Sequence, residues 1–198
     1  MDTTEKLEAL EPEPASCYAI LAFEPSKLKR RSLMKKVNEF EIAPAVMKHI
    51  QEGAFLTVAA KRQTNVMTIG WALVGILWRK PVLMVAVRTG RHTFGLIEEA
   101  DSFTVSVPTK DMKKELELCG TLSGRAVDKF KECKLVTRKA QKVGSPVLDI
   151  PGYHYECRRL YKSALDPTMM DKTLDDLYPK KDYHTLYFGE IVACYQAE

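Results

Sequence analysis

The sequence predicts a mainly β protein with peripheral helices, folded as an antiparallel barrel. Segments rich in Val, Leu, Ile and aromatic residues recur at short spacing, while only a few stretches repeat at helical period. Neither G-x-G-x-x-G nor G-x-x-x-x-G-K-[ST] occurs, so neither a doubly wound dinucleotide-binding sheet nor a P-loop is supported.

The elements follow in order. Residues 1–36 read as an extension: an acidic, Pro-containing start gives way to KLKRRSLMKK, where Lys27, Lys29, Arg30, Arg31, Lys35 and Lys36 have no acid between them. Such a run is a solvated arm, an added edge strand, or a basic patch that attracts an anion or a partner. Residues 37–198 form the main domain. FLTVAA, MTIGWALVGILW, VLMVAV and SFTVSV read as strands, and RTGRHTFGLIEEA places one short helix before the last of them, with Thr93, Phe94, Leu96, Ile97 and Ala100 at helical spacing. DMKKELELCG reads as a second helix stopped at Gly120. LVTRKA, SPVLDI, YHYECRRLY and HTLYFGEIVACYQ read as further strands, and residues 166–182 as an insertion with a short helix that packs on the barrel or on a neighbouring subunit.

Composition narrows the function. A chain of 198 residues with 45% apolar content buries one ordinary core. A formal charge of +4 is too small by itself to imply a nucleic-acid binder, and no nucleic-acid partner is expected, whereas it suits an anionic small ligand. Five cysteines without a C-x-x-C pair support neither a disulfide framework nor a zinc site, so no metal is expected. The apolar run CYAILAF is too short and wrongly flanked for a signal peptide or membrane span, which predicts a cytoplasmic protein with no membrane partner.

Three polar segments interrupt the strand pattern. TNVMTIGW threads two hydroxyls, an amide and an indole along an otherwise buried run. RTGRHT, residues 88–93, follows a strand and opens a helix. Helix N-terminal amides favour an anion there, with Thr89 and Thr93 as hydroxyl donors and Arg88, Arg91 and His92 as cationic or hydrogen-bonding heads. An ordinary capped helix with solvated charges fits the same residues. LSGRAVDKF brings Ser123, Gly124, Asp128 and Lys129 together between helix and strand, and a surface Asp-Lys pair is the plain alternative.

Taken together, N-x-M-T-x-x-W at residues 65–71, R-T-x-R-x-T at 88–93, S-G-x-x-x-D-K-F at 123–130 and H-T-x-x-x-G-E-I at 184–191 resemble the flavin reductase-like, FMN-binding split-barrel family, and within it the flavoredoxin type. The resemblance spans residues 37–192 and leaves out residues 1–36 and 166–182. It implies a Greek-key split β-barrel and a homodimer with FMN in a groove near the subunit interface. Asn65, Thr68 and Trp71, with the backbone of Val66 and Met67, would face the isoalloxazine ring. Thr93 with Arg88, Thr89, Arg91 and His92, together with Lys129, would grip the ribityl phosphate. Ser123 and Gly124 would bring a backbone loop close, and His154 and Phe188 are implied as further contacts. Alternation along HTLYFGEI puts His184 on the face of Phe188.

The implied chemistry belongs to the flavin, with NAD(P)H or a redox protein as donor. That agrees with the lack of a Ser-His-Asp or Cys-His arrangement, and no catalytic side chain is expected. An NAD(P)H-dependent flavin reductase, an FMN-carrying electron-transfer protein and a non-catalytic flavin-binding module remain the alternatives.

Overall fold

The computed structural model describes residues 34–198, which form an open, eight-stranded antiparallel sheet with helices around it. Its strands are β1 (Met34–Lys36), β2 (Ala54–Ala60), β3 (Gln63–Ile69), β4 (Ala72–Leu77), β5 (Lys80–Arg88), β6 (Ser102–Pro108), β9 (Gly152–Ala164) and β10 (His184–Ala197). The strand order is β3-β2-β6-β9-β10-β5-β4, and β1 pairs with the far end of β10. A separate small ladder joins β7 (Thr137–Arg138) and β8 (Val147–Leu148). The helices are α1 (Glu39–Ile50), α2 (His92–Glu99), α3 (Lys113–Thr121) and α4 (Lys129–Glu132).

The expected architecture is present, with differences of detail that have physical causes. The run MTIGWALVGILW is two strands rather than one: β3 ends at Ile69, β4 begins at Ala72, and they lie at opposite edges of the sheet. LVTRKA and SPVLDI contribute only the residue pairs of β7 and β8. Residues 166–182 hold two 3-10 turns, Pro167–Met169 and Lys172–Leu177, each opened by an aspartate that caps it.

Helix α1 went unrecognised in the sequence because Pro44 sits inside it and removes a backbone donor. Its start is nevertheless marked. The Asn38 side chain accepts from the amides of Phe40 and Glu41, Glu39 and Glu41 lie in the first turn, and Lys48 and His49 in the last. Val46 and Ile50, one turn apart, are its buried pair. Of the basic run, Lys35 and Lys36 stand exposed on β1, while Lys27, Lys29, Arg30 and Arg31 lie outside the described residues, as does CYAILAF.

The main core is built from Leu56, Val58, Leu83, Val85, Val87, Phe103, Val105, Val107, Tyr155 and Tyr187, among others, all of these fully buried. A second cluster lies on the other face of β2 and β3, where Phe55 and Val66 pack under Leu116 and Cys119 of α3. Both faces of β2 are therefore covered, which explains why FLTVAA is apolar throughout rather than alternating. Cys119, Cys133, Cys157 and Cys194 are buried free thiols.

Strand β10 holds the sheet together, pairing with β9 along its length, with β5 through residues 184–190 and with β1 through residues 195–197. Register shifts at Phe188/Gly189 and Ile191/Ala193 bend it so that it can serve both neighbours. The bend at Gly189 needs a bare backbone. A Cβ there would stand 2.7 Å from both Cys157 Cβ and Phe103 Cζ.

His154 sits in this fabric, fully buried on β9. Nε2 lies 3.0 Å from the Ile150 carbonyl, which only accepts, so Nε2 carries the proton and Nδ1, 2.9 Å from Ser106 Oγ, accepts from that hydroxyl. Burial pushes its pKa down to about 4. Between the unfolded value near 6.5 and about 4, the unfolded chain binds more protons than the folded one, so stability falls as pH drops through that window. The full effect is on the order of 3 kcal/mol. Urea unfolding of His154→Gln at several pH values between 6.5 and 4 is expected to show a shallower loss of stability than the wild-type chain.

Candidate functional site

The site is built where the sheet fails to close. Among the described residues β3 pairs only with β2, leaving its other edge free, and β4 covers β5 only from Lys80 to Val85. Residues 70–71 step across the gap, and the Trp71 carbonyl accepts from the Ala86 amide at 3.3 Å. Along this seam, a cavity of ≈ 230 Å³ is lined by Met67, Thr68, Gly70, Trp71, Arg91 and His184, among others. A smaller, more enclosed one of ≈ 70 Å³ sits beside it, sharing Met67 and Arg91. A third, open cavity of ≈ 690 Å³ shares Arg88 and Arg91 and is walled by Asp176, Leu177, Pro179, Lys180 and Asp182.

The small cavity unites the three polar segments seen in the sequence. Asn65 on β3, Arg91, His92 and Thr93 at the start of α2, and Ser123, Gly124 and Lys129 after α3 all line it. Asn65 is buried and donates from Nδ2 to Thr93 Oγ1 at 2.7 Å, which leaves the Thr93 hydroxyl hydrogen free to donate elsewhere. The 123–125 backbone presses against both other segments. A Cβ on Gly124 would stand 2.3 Å from Asn65 Oδ1 and 2.8 Å from His92 Cδ2.

Electrostatically, the small cavity is one-sided. No carboxylate lines it, and neither Arg91 nor Lys129 forms an ion pair among the described residues. Arg91 Nη1 donates to the Gly120 carbonyl at 2.8 Å, and Lys129 Nζ to the Cys119 carbonyl at 2.7 Å. Lys129 is not the solvated cation that a surface reading of D-K implies: it is 5% exposed, and burial lowers its pKa. His92 is also pushed down, by burial and then by Arg125 and Lys129. α2 adds its N-terminus without an acidic residue in the first turn and without a side-chain cap. A volume of ≈ 70 Å³ is about that of two water molecules, which suits a phosphoryl head rather than a ring system.

Other expected residues are placed differently. Asn65 and Met67 point to one face of β3, and Val66 and Thr68 to the other; Val66 is core, and the Thr68 hydroxyl donates to the Leu116 carbonyl. Only its edge position lets β3 present both faces to the seam. Thr89 is exposed and lines none of the three cavities. Arg88 is already engaged: Nη1 lies 2.6 Å from Asp182 Oδ1, Nη2 donates to the Leu177 carbonyl, and the guanidinium covers the Tyr178 ring. It fastens residues 172–182 to the barrel. His154 is enclosed in the sheet, and Phe188 packs with Trp78 and Tyr161 on the outer surface; neither lines the seam cavities. Tyr178 and Asp182 are the residues the motifs did not supply; His184 opens the H-T-x-x-x-G-E-I motif and shares the face of Phe188 by alternation, and it lines the cavity beside Trp71 although the sequence assigns it no ligand contact.

Residues 47–198 match the flavin reductase like domain, and the chain belongs to that family. An uncharacterised protein of Archaeoglobus fulgidus is 34% identical over 138 residues, covering 70% of this chain and 68% of its own length. Among solved structures, the fold is similar to a flavoredoxin of Methanosarcina acetivorans, at 26% identity and a TM-score of 0.57, covering 74% of this chain and 68% of that one. A flavoredoxin of Desulfovibrio vulgaris superposes with a TM-score of 0.58 at 20% identity, over 74% of this chain and 69% of that one.

Gly124→Ala tests the packing of the three segments. Asn65 is buried and tied to Thr93, so it cannot yield without losing that bond, and overpacking of this kind costs roughly 1–3 kcal/mol. Urea unfolding is expected to show that loss for Gly124→Ala, with exposed Ser123→Ala within about 0.5 kcal/mol of wild type.

Proposed function

We propose that the protein binds FMN non-covalently along the seam and works as an FMN-dependent oxidoreductase of the flavin reductase or flavoredoxin type, with NAD(P)H or a redox protein as electron donor. The convergence of Asn65, Arg91, His92, Thr93, Gly124 and Lys129 on one small cavity without a carboxylate carries this reading. Family membership supports it. The residues fit the cofactor in size and charge: the small cavity would take the phosphate, and the adjoining cavity beside Trp71 would take the ring. Bound FMN would supply hydride or single-electron transfer. The chain's own part is to hold and polarise. Arg91, Lys129 and the Thr93 hydroxyl donate to the phosphate oxygens, Gly124 lets the loop approach, and Trp71 offers an aromatic wall.

The outer surface supports a homodimer. Edge strand β4 and its hairpin expose Leu73 at 63%, Ile76 at 72% and Trp78 at 52%, and Trp78 packs with Tyr161 and Phe188. An apolar edge of this kind calls for a cover, and a second copy provides one.

The purified protein is expected to show flavin absorption bands or to quench FMN fluorescence on titration; a colourless protein that does neither refutes the reading. FMN is expected to bind at least ten-fold more tightly than riboflavin, since each lost charge-assisted hydrogen bond costs roughly 1.5–3 kcal/mol. Lys129→Met is expected to erase most of that difference. NADH and NADPH oxidation with FMN present then separates a reductase, which turns over, from a carrier, which stays yellow and reacts slowly. By light scattering, the wild-type chain is expected at twice its 22.4 kDa mass and Ile76→Lys nearer the monomer.

A further inference from the structure

Tyr178 comes from residues 166–182, outside every motif described above, and reaches the seam. It is 4% exposed, its ring lies edge-on to Trp71 at 6.2 Å, and Arg88 sits over it at 5.0 Å. Its hydroxyl is 2.8 Å from Nδ1 of His184. The His184 ring packs 4.5 Å from Trp71 and lines the same cavity as Thr68 and Arg91.

The hydrogen-bond roles in this pair follow from supply. A buried phenol needs an acceptor, and Nδ1 is the partner Tyr178 has among the described residues. Burial raises the Tyr178 pKa, so the phenol keeps its proton. His184 is held down to about 4 by burial and by Arg88, with Asp182 opposing and Arg91 adding a little. A neutral imidazole that accepts at Nδ1 bears its hydrogen on Nε2. Nε2 has no partner among the described residues, so a free donor of fixed tautomer stands in the wall of the cavity.

We propose that Tyr178 is a positioning residue that locks His184 in the Nε2–H tautomer, and that His184 donates this hydrogen bond to a carbonyl oxygen or ring nitrogen of a planar ring seated beside Trp71. This rests on the FMN reading, with the isoalloxazine as that ring. Residues 166–182 then belong to the cofactor site rather than to a decoration of the barrel. Arg88 fixes the arrangement by holding the segment through Asp182 and the Leu177 carbonyl.

Nitrogen-15 NMR of the imidazole side chains tests the first half without any cofactor. In the wild-type protein at neutral pH, His184 is expected to show an unprotonated Nδ1 and a protonated Nε2, and Tyr178→Phe a mixture of tautomers. On titration with FMN, the Nε2 signal is expected to shift. His184→Ala is expected to weaken FMN binding about three- to ten-fold, as for one hydrogen bond. His184→Gln, whose amide can donate from the place of Nε2, should recover most of the loss. A proton on Nδ1 in the wild-type protein overturns the proposal, as does FMN binding that leaves Nε2 unmoved and is as tight in His184→Ala. Absence of FMN binding by the wild-type protein instead refutes the functional reading beneath it.

Discussion

Residues 70–71 carry the chain from one edge of the sheet to the other, and this short span governs how far the barrel can close. Ile69 and Ala72 are joined by three peptide steps, so the two edges can stand no more than about 11 Å apart. Hydrogen-bonded strands sit roughly 4.8 Å apart. The connection thus brings the edges close while the ladder between them is not formed. Among the described residues that slit leaves one edge of β3 without a strand partner, and α2 begins at its end. Every residue argued to hold a ligand stands at its margin.

The cations around the slit divide into two kinds. Arg88 and Asp182 neutralise one another, so their contribution is shape: they clamp residues 172–182 onto the barrel. Arg91 and Lys129 have only carbonyl partners among the described residues, so their charge stays uncompensated. A buried ammonium with a single carbonyl acceptor is costly to desolvate. A dianion in the small cavity offsets that cost directly. The positive field at the small cavity is thus local, set by Arg91 and Lys129 rather than by the +4 net charge of the chain.

Much of this was legible in the sequence where local chemistry decides. Strand-like runs, the α2 start and the S-G-x-x-x-D-K-F turn were readable because hydrophobic pattern and capping residues act locally; Asp128 does cap α4, accepting from the amides of Phe130 and Lys131. Three things were not. The break at Gly70 sits in a run that is apolar on both sides although β3 is mostly buried and β4 largely exposed, so composition carries no signal for it. The burial of Lys129 depends on α3 folding over its ammonium, a tertiary event. The docking of Tyr178 depends on Arg88, which lies far away in the sequence and which a local reading assigned to a ligand. His154 is a related case: a histidine on a strand shows no sign of whether its partner is a ligand or another strand's side chain such as Ser106.

Strand β10 has a consequence for how the chain reaches its folded form. It follows all other strands in sequence yet lies between β9 and β5 and also pairs with β1. Contacts such as Met34 with Ala197 span almost the whole described chain. Until β10 docks, the β4-β5 hairpin has no partner on its other side, and the apolar surface of β5 and β9 stays open. Assembly of the sheet is therefore dominated by long-range pairing, the regime in which folding is slow and nascent chains aggregate most readily. Folding on this topology therefore leaves the β5 side of the β4-β5 hairpin unpaired until residues 184–190, near the C-terminal end of the described chain, are available to dock.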